Sequence, residues 1–126
     1  MVRRRWSNLL VALAVVLMAG TAHAQGASGE QTSETDETQQ LEQLVTEAQQ
    51  AFKNGNFEVA IDRLLAAHRI EPNPRLLFNI ARSYEELDDC KSAMVYYRSF
   101  IEDPKAEDAL VKKAKKRLAG GDCPDY

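Results

Sequence analysis

The 126-residue sequence contains few of the side chains that carry most enzyme and metal chemistry. It has two cysteines and two histidines, and His68 is the only histidine after residue 24. A structural zinc site needs several nitrogen or sulfur ligands, and neither a second histidine nor a suitably placed cysteine accompanies His68. Cys-x-x-Cys pairs, glycine-rich phosphate-binding loops and Gly-x-Ser-x-Gly nucleophile motifs are absent as well. The sequence therefore predicts no metal site, no cofactor, no catalytic residue and no enzymatic activity.

Basic residues are also in short supply. The chain has 16 Lys and Arg against 19 Asp and Glu, which gives a net charge of −3. Three of the basic residues lie within residues 1–24, which contain no acid, so the rest of the chain carries 13 bases, 19 acids and a net charge of −6. Nucleic-acid-binding domains are usually strongly basic, so no nucleic-acid partner is predicted. A chain of this length forms one domain at most.

Long apolar runs are missing too. The longest run, residues 9–19, has 11 residues, whereas a membrane-spanning helix needs about 20. Arginines at positions 3–5 precede this run, and the small-residue triplet Ala-His-Ala at 22–24 follows it, which is the pattern of a cleaved signal peptide. We predict a signal peptide at residues 1–24 and export to the periplasm, with secretion as the alternative. No stable membrane span is expected after cleavage.

Residues 25–40 are the most polar part of the sequence. They consist of Gly, Ser, Thr, Gln and acidic residues, with Ala27 as the only apolar side chain. Such a composition cannot bury enough apolar surface to offset the entropy of ordering. We predict a disordered acidic linker here, and a role as a binding tail stays open.

The hydrophobic pattern changes at Leu41. From there on, apolar residues recur at spacings of three and four, which is the period of a helix. Chain breakers at residues 54–56, 72–74, 88–89 and 103–104 divide this part. No segment alternates as a strand would, so the predicted fold class is all-α. The expected helices are 39–53, 57–70, 74–87, 90–102 and 105–119.

These helices repeat with a period of 33 residues: Leu44, Ala48, Ala60 and Leu64 recur as Leu77, Ala81, Ala93 and Tyr97. Repeats of about 34 residues built from two helices, with a small residue in each and a proline near the end, resemble tetratricopeptide repeats. The resemblance covers residues 41–118. It implies two such repeats plus a closing helix, a short α-solenoid at residues 41–119, followed by a tail at 120–126.

The alanines of the repeat have a physical role. Ala48, Ala60, Ala81 and Ala93 lack bulk, so neighbouring helices can approach, while Leu64, Tyr84 and Tyr97 fill the remaining space. The second repeat departs from the family pattern, with Cys90 in place of an aromatic, Phe100 in place of a small residue and Pro104 one position early. We expect an altered packing angle at the last helix pair. The amino-acid sequence of residues 76–84 resembles that of small envelope repeat proteins of Gram-negative bacteria.

Cys90 and Cys123 are the two cysteines. Export leads to an oxidising compartment, where an even count suggests pairing. In a tetratricopeptide stack the first helix of a pair runs parallel to the closing helix, which brings the two positions together. We predict a disulfide; the alternative is a partly buried free Cys90 and an unpaired thiol in the tail.

Family members contact peptides mainly through the first helix of each pair, on the concave face. Asn79 matches a position that grips the peptide backbone in members that bind a terminal carboxylate, but Val45 and Gln49 replace the accompanying Lys and Asn, so a complete clamp is not expected. Arg75 and Arg82 lie seven residues apart on one helical face, where they meet either an acidic peptide or local acids. The predicted partner-binding residues are Gln49, Phe52, Arg75, Phe78, Asn79 and Arg82.

The last predicted helix is rich in bases, with Lys112, Lys113, Lys115, Lys116 and Arg117 close together. Bases near the carboxyl end of a helix are favourable with its dipole, which is one explanation. The other is an electrostatic dock, at Lys112, Lys113 and Lys116, for an acidic partner, an anionic polymer or an anionic membrane.

Together these features predict an exported, non-catalytic scaffold or adaptor that binds a protein or peptide on its concave face. The alternative is a structural subunit of an envelope assembly that self-associates as a homo-oligomer through the same face.

Overall fold

The computed structural model describes residues 28–120, with side chains from residue 33 onward. Within this part the chain is entirely helical, which confirms the predicted all-α class and the number of helices. The predicted signal peptide and Cys123 lie outside the described residues. The helices are α1 (Ser28–Lys53), α2 (Phe57–Ile70), α3 (Pro74–Glu86), α4 (Cys90–Glu102) and α5 (Asp108–Gly120).

The predicted breakers form the turns between the helices. Gly55 adopts a φ of +76°, a conformation that other residues rarely adopt, and its N–H donates to the carbonyl of Phe52 at 3.1 Å. Asn73 caps α3 by accepting a hydrogen bond from the N–H of Arg75 at 2.9 Å. Asp89 caps α4 by accepting hydrogen bonds from Ser92. The bond from the Ser92 hydroxyl lowers the pKa of the Asp89 carboxyl group most, and the bond from the Ser92 backbone N–H lowers it further.

Each helix packs on the next one along the chain, which gives the solenoid-like order of two helix pairs and a closing helix. The four repeat alanines, Ala48, Ala60, Ala81 and Ala93, are at most 2% exposed, as the repeat predicts. Helix backbones can approach closely where these alanines lie.

The core consists of two clusters. The first joins α1, α2 and α3 around Leu64 and Ile80. The second joins α3, α4 and α5 around Tyr97, Phe100 and Ala114. Two helix pairs and the closing helix are therefore held by continuous apolar contact.

Helix α1 begins much earlier than the sequence predicts. The linker prediction for residues 25–40 is wrong from Ser28 onward, because α1 runs from Ser28 to Lys53. Adding residues to an existing helix gains one hydrogen bond each without a new nucleation cost, and the Thr38 hydroxyl donates a further bond to the carbonyl of Glu34 at 2.9 Å. Composition correctly indicated that residues 33–40 bury nothing, since all of them are exposed.

The other helix boundaries shift by three residues or fewer. α5 begins at Asp108 instead of 105 because Asp103 accepts bonds from the backbone N–H groups of Lys105 and Ala106, which hold a turn there. α3 ends at Glu86, and Gly120 belongs to α5 and not to the tail. Among the described residues, no helix combines the length and the apolar character that a membrane crossing requires.

The exposed start of α1 should open far more readily than its packed end. In native-state hydrogen exchange at high salt, we expect amides of residues 33–39 to exchange at least about a hundredfold faster than those of residues 44–52. Residue-resolved NMR measures both sets in one sample, so the packed end is the internal control. Equal protection of the two ends would contradict the assignment of the packing to residues after 40.

Candidate binding groove

Two adjoining cavities open along α1, α3 and the closing helix α5, and Arg82 lines both. The first lies between α1 and α3 and has a volume of ≈ 200 Å³. Ala48 and Leu64 form its apolar floor, and Gln49, Phe52 and Asn79 stand at its walls.

Arg82 is held at the boundary by an aromatic ring. Its guanidinium carbon lies 4.9 Å from the ring centroid of Phe52, a cation–π distance. Phe52 in turn meets Phe57 edge-to-face, with centroids 5.2 Å apart. The Nε atom of Arg82 is buried without a hydrogen-bond partner, so the guanidinium is fixed in position but not saturated.

Two side-chain amides in the first cavity also have unused capacity. Within the described part of the chain, the side chains of Gln49 and Asn79 make no hydrogen bond, although the backbone carbonyl of Asn79 accepts one from Ser83. Each amide offers both a donor and an acceptor. This cavity therefore combines an apolar floor with polar groups that suit a peptide backbone.

The second cavity lies between α3 and α5 and has a volume of ≈ 510 Å³. Four basic side chains and a single acid line it. The acid is Glu85, and the bases are Arg82, Lys113, Lys116 and Arg117.

Glu85 is already engaged within the protein. It accepts a hydrogen bond from the hydroxyl of Tyr97 at 2.9 Å and forms a salt bridge with Arg117. Burial raises the pKa of Tyr97, and the hydrogen bond to Glu85 and the negative charge of Glu85 raise it further. Tyr97 therefore remains a protonated donor at physiological pH. Because Glu85 and Arg117 compensate each other, Arg82, Lys113 and Lys116 account for the net charge of this cavity.

Most of the predicted site residues come together here. Gln49, Phe52, Asn79 and Arg82 line the first cavity, and Lys113 and Lys116 line the second.

Phe78 differs from its prediction as an outward contact residue, because it is 6% exposed. It lies edge-to-face against Tyr97 and Phe100, with centroids 5.7 and 5.3 Å away. It thus forms the floor of the second cavity and is part of the core.

Two other predicted residues lie outside both cavities. Arg75 forms a salt bridge with Glu107 at 2.8 Å, which is the local pairing that the sequence left open as an alternative. Lys112 lies on α5 but lines neither cavity.

The pairing of Glu85 with Arg117 is not among the contacts predicted from the sequence. The two residues are 32 positions apart, close to the repeat period, so they occupy nearly equivalent places on α3 and the closing helix α5. That spacing is the signal that predicts the pair.

No group of three or more His, Cys, Asp or Glu residues in the described range is arranged to hold a metal ion. In comparisons with known protein families, curated proteins and solved structures, nothing matches this chain.

Proposed function

We propose that this protein is a tetratricopeptide-repeat protein that acts as a non-catalytic interaction module and binds an extended peptide segment of a partner protein. The site is the first cavity, between α1 and α3. The single observation that carries the proposal is that Gln49, Phe52, Asn79 and Arg82, separated by up to 33 residues in the chain, line this one cavity.

The chemistry of the cavity suits a peptide. An apolar cavity of about 150 Å³ is large enough for a benzene-sized group, so ≈ 200 Å³ over Ala48 and Leu64 accommodates one aromatic or aliphatic side chain. The free amides of Gln49 and Asn79 are placed to bond the peptide backbone on either side of that anchor. A buried anchor surrounded by polar contacts is typical of binding surfaces.

The proposal includes export. Residues 1–24 serve as a signal peptide, and the mature protein works in the periplasm. Cleavage after Ala24 leaves a chain that begins at Gln25. The experiments below use this cleaved chain.

Peptides selected from a random display library against the purified protein should depend on the first cavity. We expect Gln49→Ala combined with Asn79→Ala to weaken their binding about tenfold or more, because truncating residues at the centre of an interface typically costs this much. Isothermal titration calorimetry with the synthetic peptides measures the change.

The matched control uses exposed positions on the second helices. Val59 and Val95 are 47% and 56% exposed and line no part of the first cavity, so Val59→Ala combined with Val95→Ala should leave the affinity unchanged. Peptides that bind the Gln49/Asn79 variant as tightly as the unaltered protein would refute the site.

A further inference from the structure

Helix α1 is much longer than the helix it packs against. α1 has 26 residues and α2 has 14, and residues 54–56 connect them. Helices joined by so short a turn run antiparallel, so α2 can cover only about the last half of α1. We call the exposed residues 33–40 the acidic overhang.

The acidic overhang carries unbalanced charge. Glu34, Asp36 and Glu37 lie within it, and Lys53 is the first base in α1. Within the described part of the chain, none of the three acids forms an ion pair. A helix segment that is polar on all sides lacks the apolar contacts that normally stabilise a helix.

The second cavity, which we call the cationic groove, carries an excess of positive charge. Arg82, Lys113 and Lys116 line it and likewise form no ion pair within the described residues. The guanidinium of Arg82 is fixed over Phe52 with an unsatisfied donor, and a guanidinium binds a carboxylate with two parallel hydrogen bonds. Three unpaired cations thus line the groove, and three unpaired acids lie on the overhang.

The overhang cannot reach the groove of its own chain. Phe52, which contacts Arg82, lies 15 residues after Glu37 in one continuous helix. At about 1.5 Å per residue, the helix holds Glu37 roughly 22 Å away from the contact with Arg82. Any pairing between overhang and groove must therefore join two molecules.

We propose that the acidic overhang of one copy docks in the cationic groove of the next. The two surfaces are different, so the contact is heterologous and runs head to tail, and repetition gives a ring or an open chain. Carboxylates of Glu34 and Glu37, one helical turn apart, pair with Arg82, Lys113 and Lys116. This contact shares Arg82 with the peptide site between α1 and α3, but Lys113 and Lys116 belong to the groove alone.

The test is charge reversal followed by mixing, with association measured by sedimentation velocity. The unaltered protein should self-associate at low salt and dissociate in about 500 mM salt, where charges are screened beyond a few ångströms. Glu34→Lys with Glu37→Lys, and separately Lys113→Glu with Lys116→Glu, should each raise the dissociation constant roughly tenfold or more.

Mixing the two reversed variants should restore association, because the basic overhang of one then meets the acidic groove of the other. The matched control is Lys112→Glu with Lys115→Glu. It changes the net charge of α5 by the same amount, but neither residue lines the groove. It should associate as the unaltered protein does. Circular dichroism confirms that every variant is folded.

Three results would overturn the proposal: a monomer at low salt and high concentration, association that survives both reversals, or no recovery on mixing. If the monomer binds polyglutamate through Lys113 and Lys116, the groove serves a different acidic partner and self-docking is wrong. Peptide binding is scored at Gln49 and Asn79, so the two proposals fail independently.

Discussion

Phe100→Ala is expected to lower the free energy of unfolding by about 3–5 kcal/mol, the usual cost of removing a fully buried phenylalanine. Phe100 is 1% exposed. Its ring meets Phe78 edge-to-face at 5.3 Å and belongs to the cluster that joins α3, α4 and Ala114 of α5. Its removal leaves a cavity at the centre of the second helix pair and loosens the closing helix.

Urea denaturation followed by circular dichroism measures the change. Val95→Ala on the same helix is the control, since Val95 is 56% exposed and truncation at an exposed site usually changes stability by less than about 0.5 kcal/mol. A loss below about 1 kcal/mol for Phe100→Ala would mean that this cluster does not hold the closing helix. Small domains are stable by only about 5–15 kcal/mol, so a loss of this size should also reduce the yield of folded protein.

Reduction of the predicted disulfide between Cys90 and Cys123 is the second large effect. The part of the chain that the structure describes contains no free cysteine, and Cys90 begins α4 beside the end of α3. Cys123 lies outside the described residues, three positions after the end of α5. In the chain-entropy model, closing a loop of this length contributes about 3–4 kcal/mol.

We expect reductant to lower the free energy of unfolding of the protein, purified under oxidising conditions, by that amount. Cys123→Ser should reproduce the loss without altering the packing around Cys90, and reductant should then have no further effect on the variant. Thiol titration of the denatured, unreduced protein gives the direct answer. Two free thiols per chain would end the prediction.

The sequence predicted the helical layout best where local chemistry decides it. Gly55 and Pro74 permit few alternatives to a turn and a helix start, and both lie where the pattern indicates. The predicted start of α1 was wrong because composition indicates only how much surface a segment can bury. The helix at residues 28–40 continues from the packed residues that follow it. The start of α5 depends on hydrogen bonds to Asp103 that no periodicity reveals.

The candidate site was predictable to the extent that it follows the repeat. Gln49, Asn79 and Arg82 line one cavity because α1 and α3, the first helices of the two pairs, present these positions to the same side; that they bind a partner stays a prediction. Phe78 stands at the border between the core and the groove, where one helical position cannot be assigned to a face from spacing alone. The binding of Glu85 by Tyr97 and Arg117 joins three helices, so it appears only once the helices are packed.

The most direct test of peptide binding in the first cavity is an NMR titration of the isotope-labelled protein with a library-selected peptide. We expect the largest shift changes on Gln49, Phe52, Asn79 and Arg82, and we expect Gln49→Ala combined with Asn79→Ala to move the titration to about tenfold higher peptide concentration or more. Changes concentrated on the exposed faces of α2 and α4, around Val59 and Val95, would contradict it.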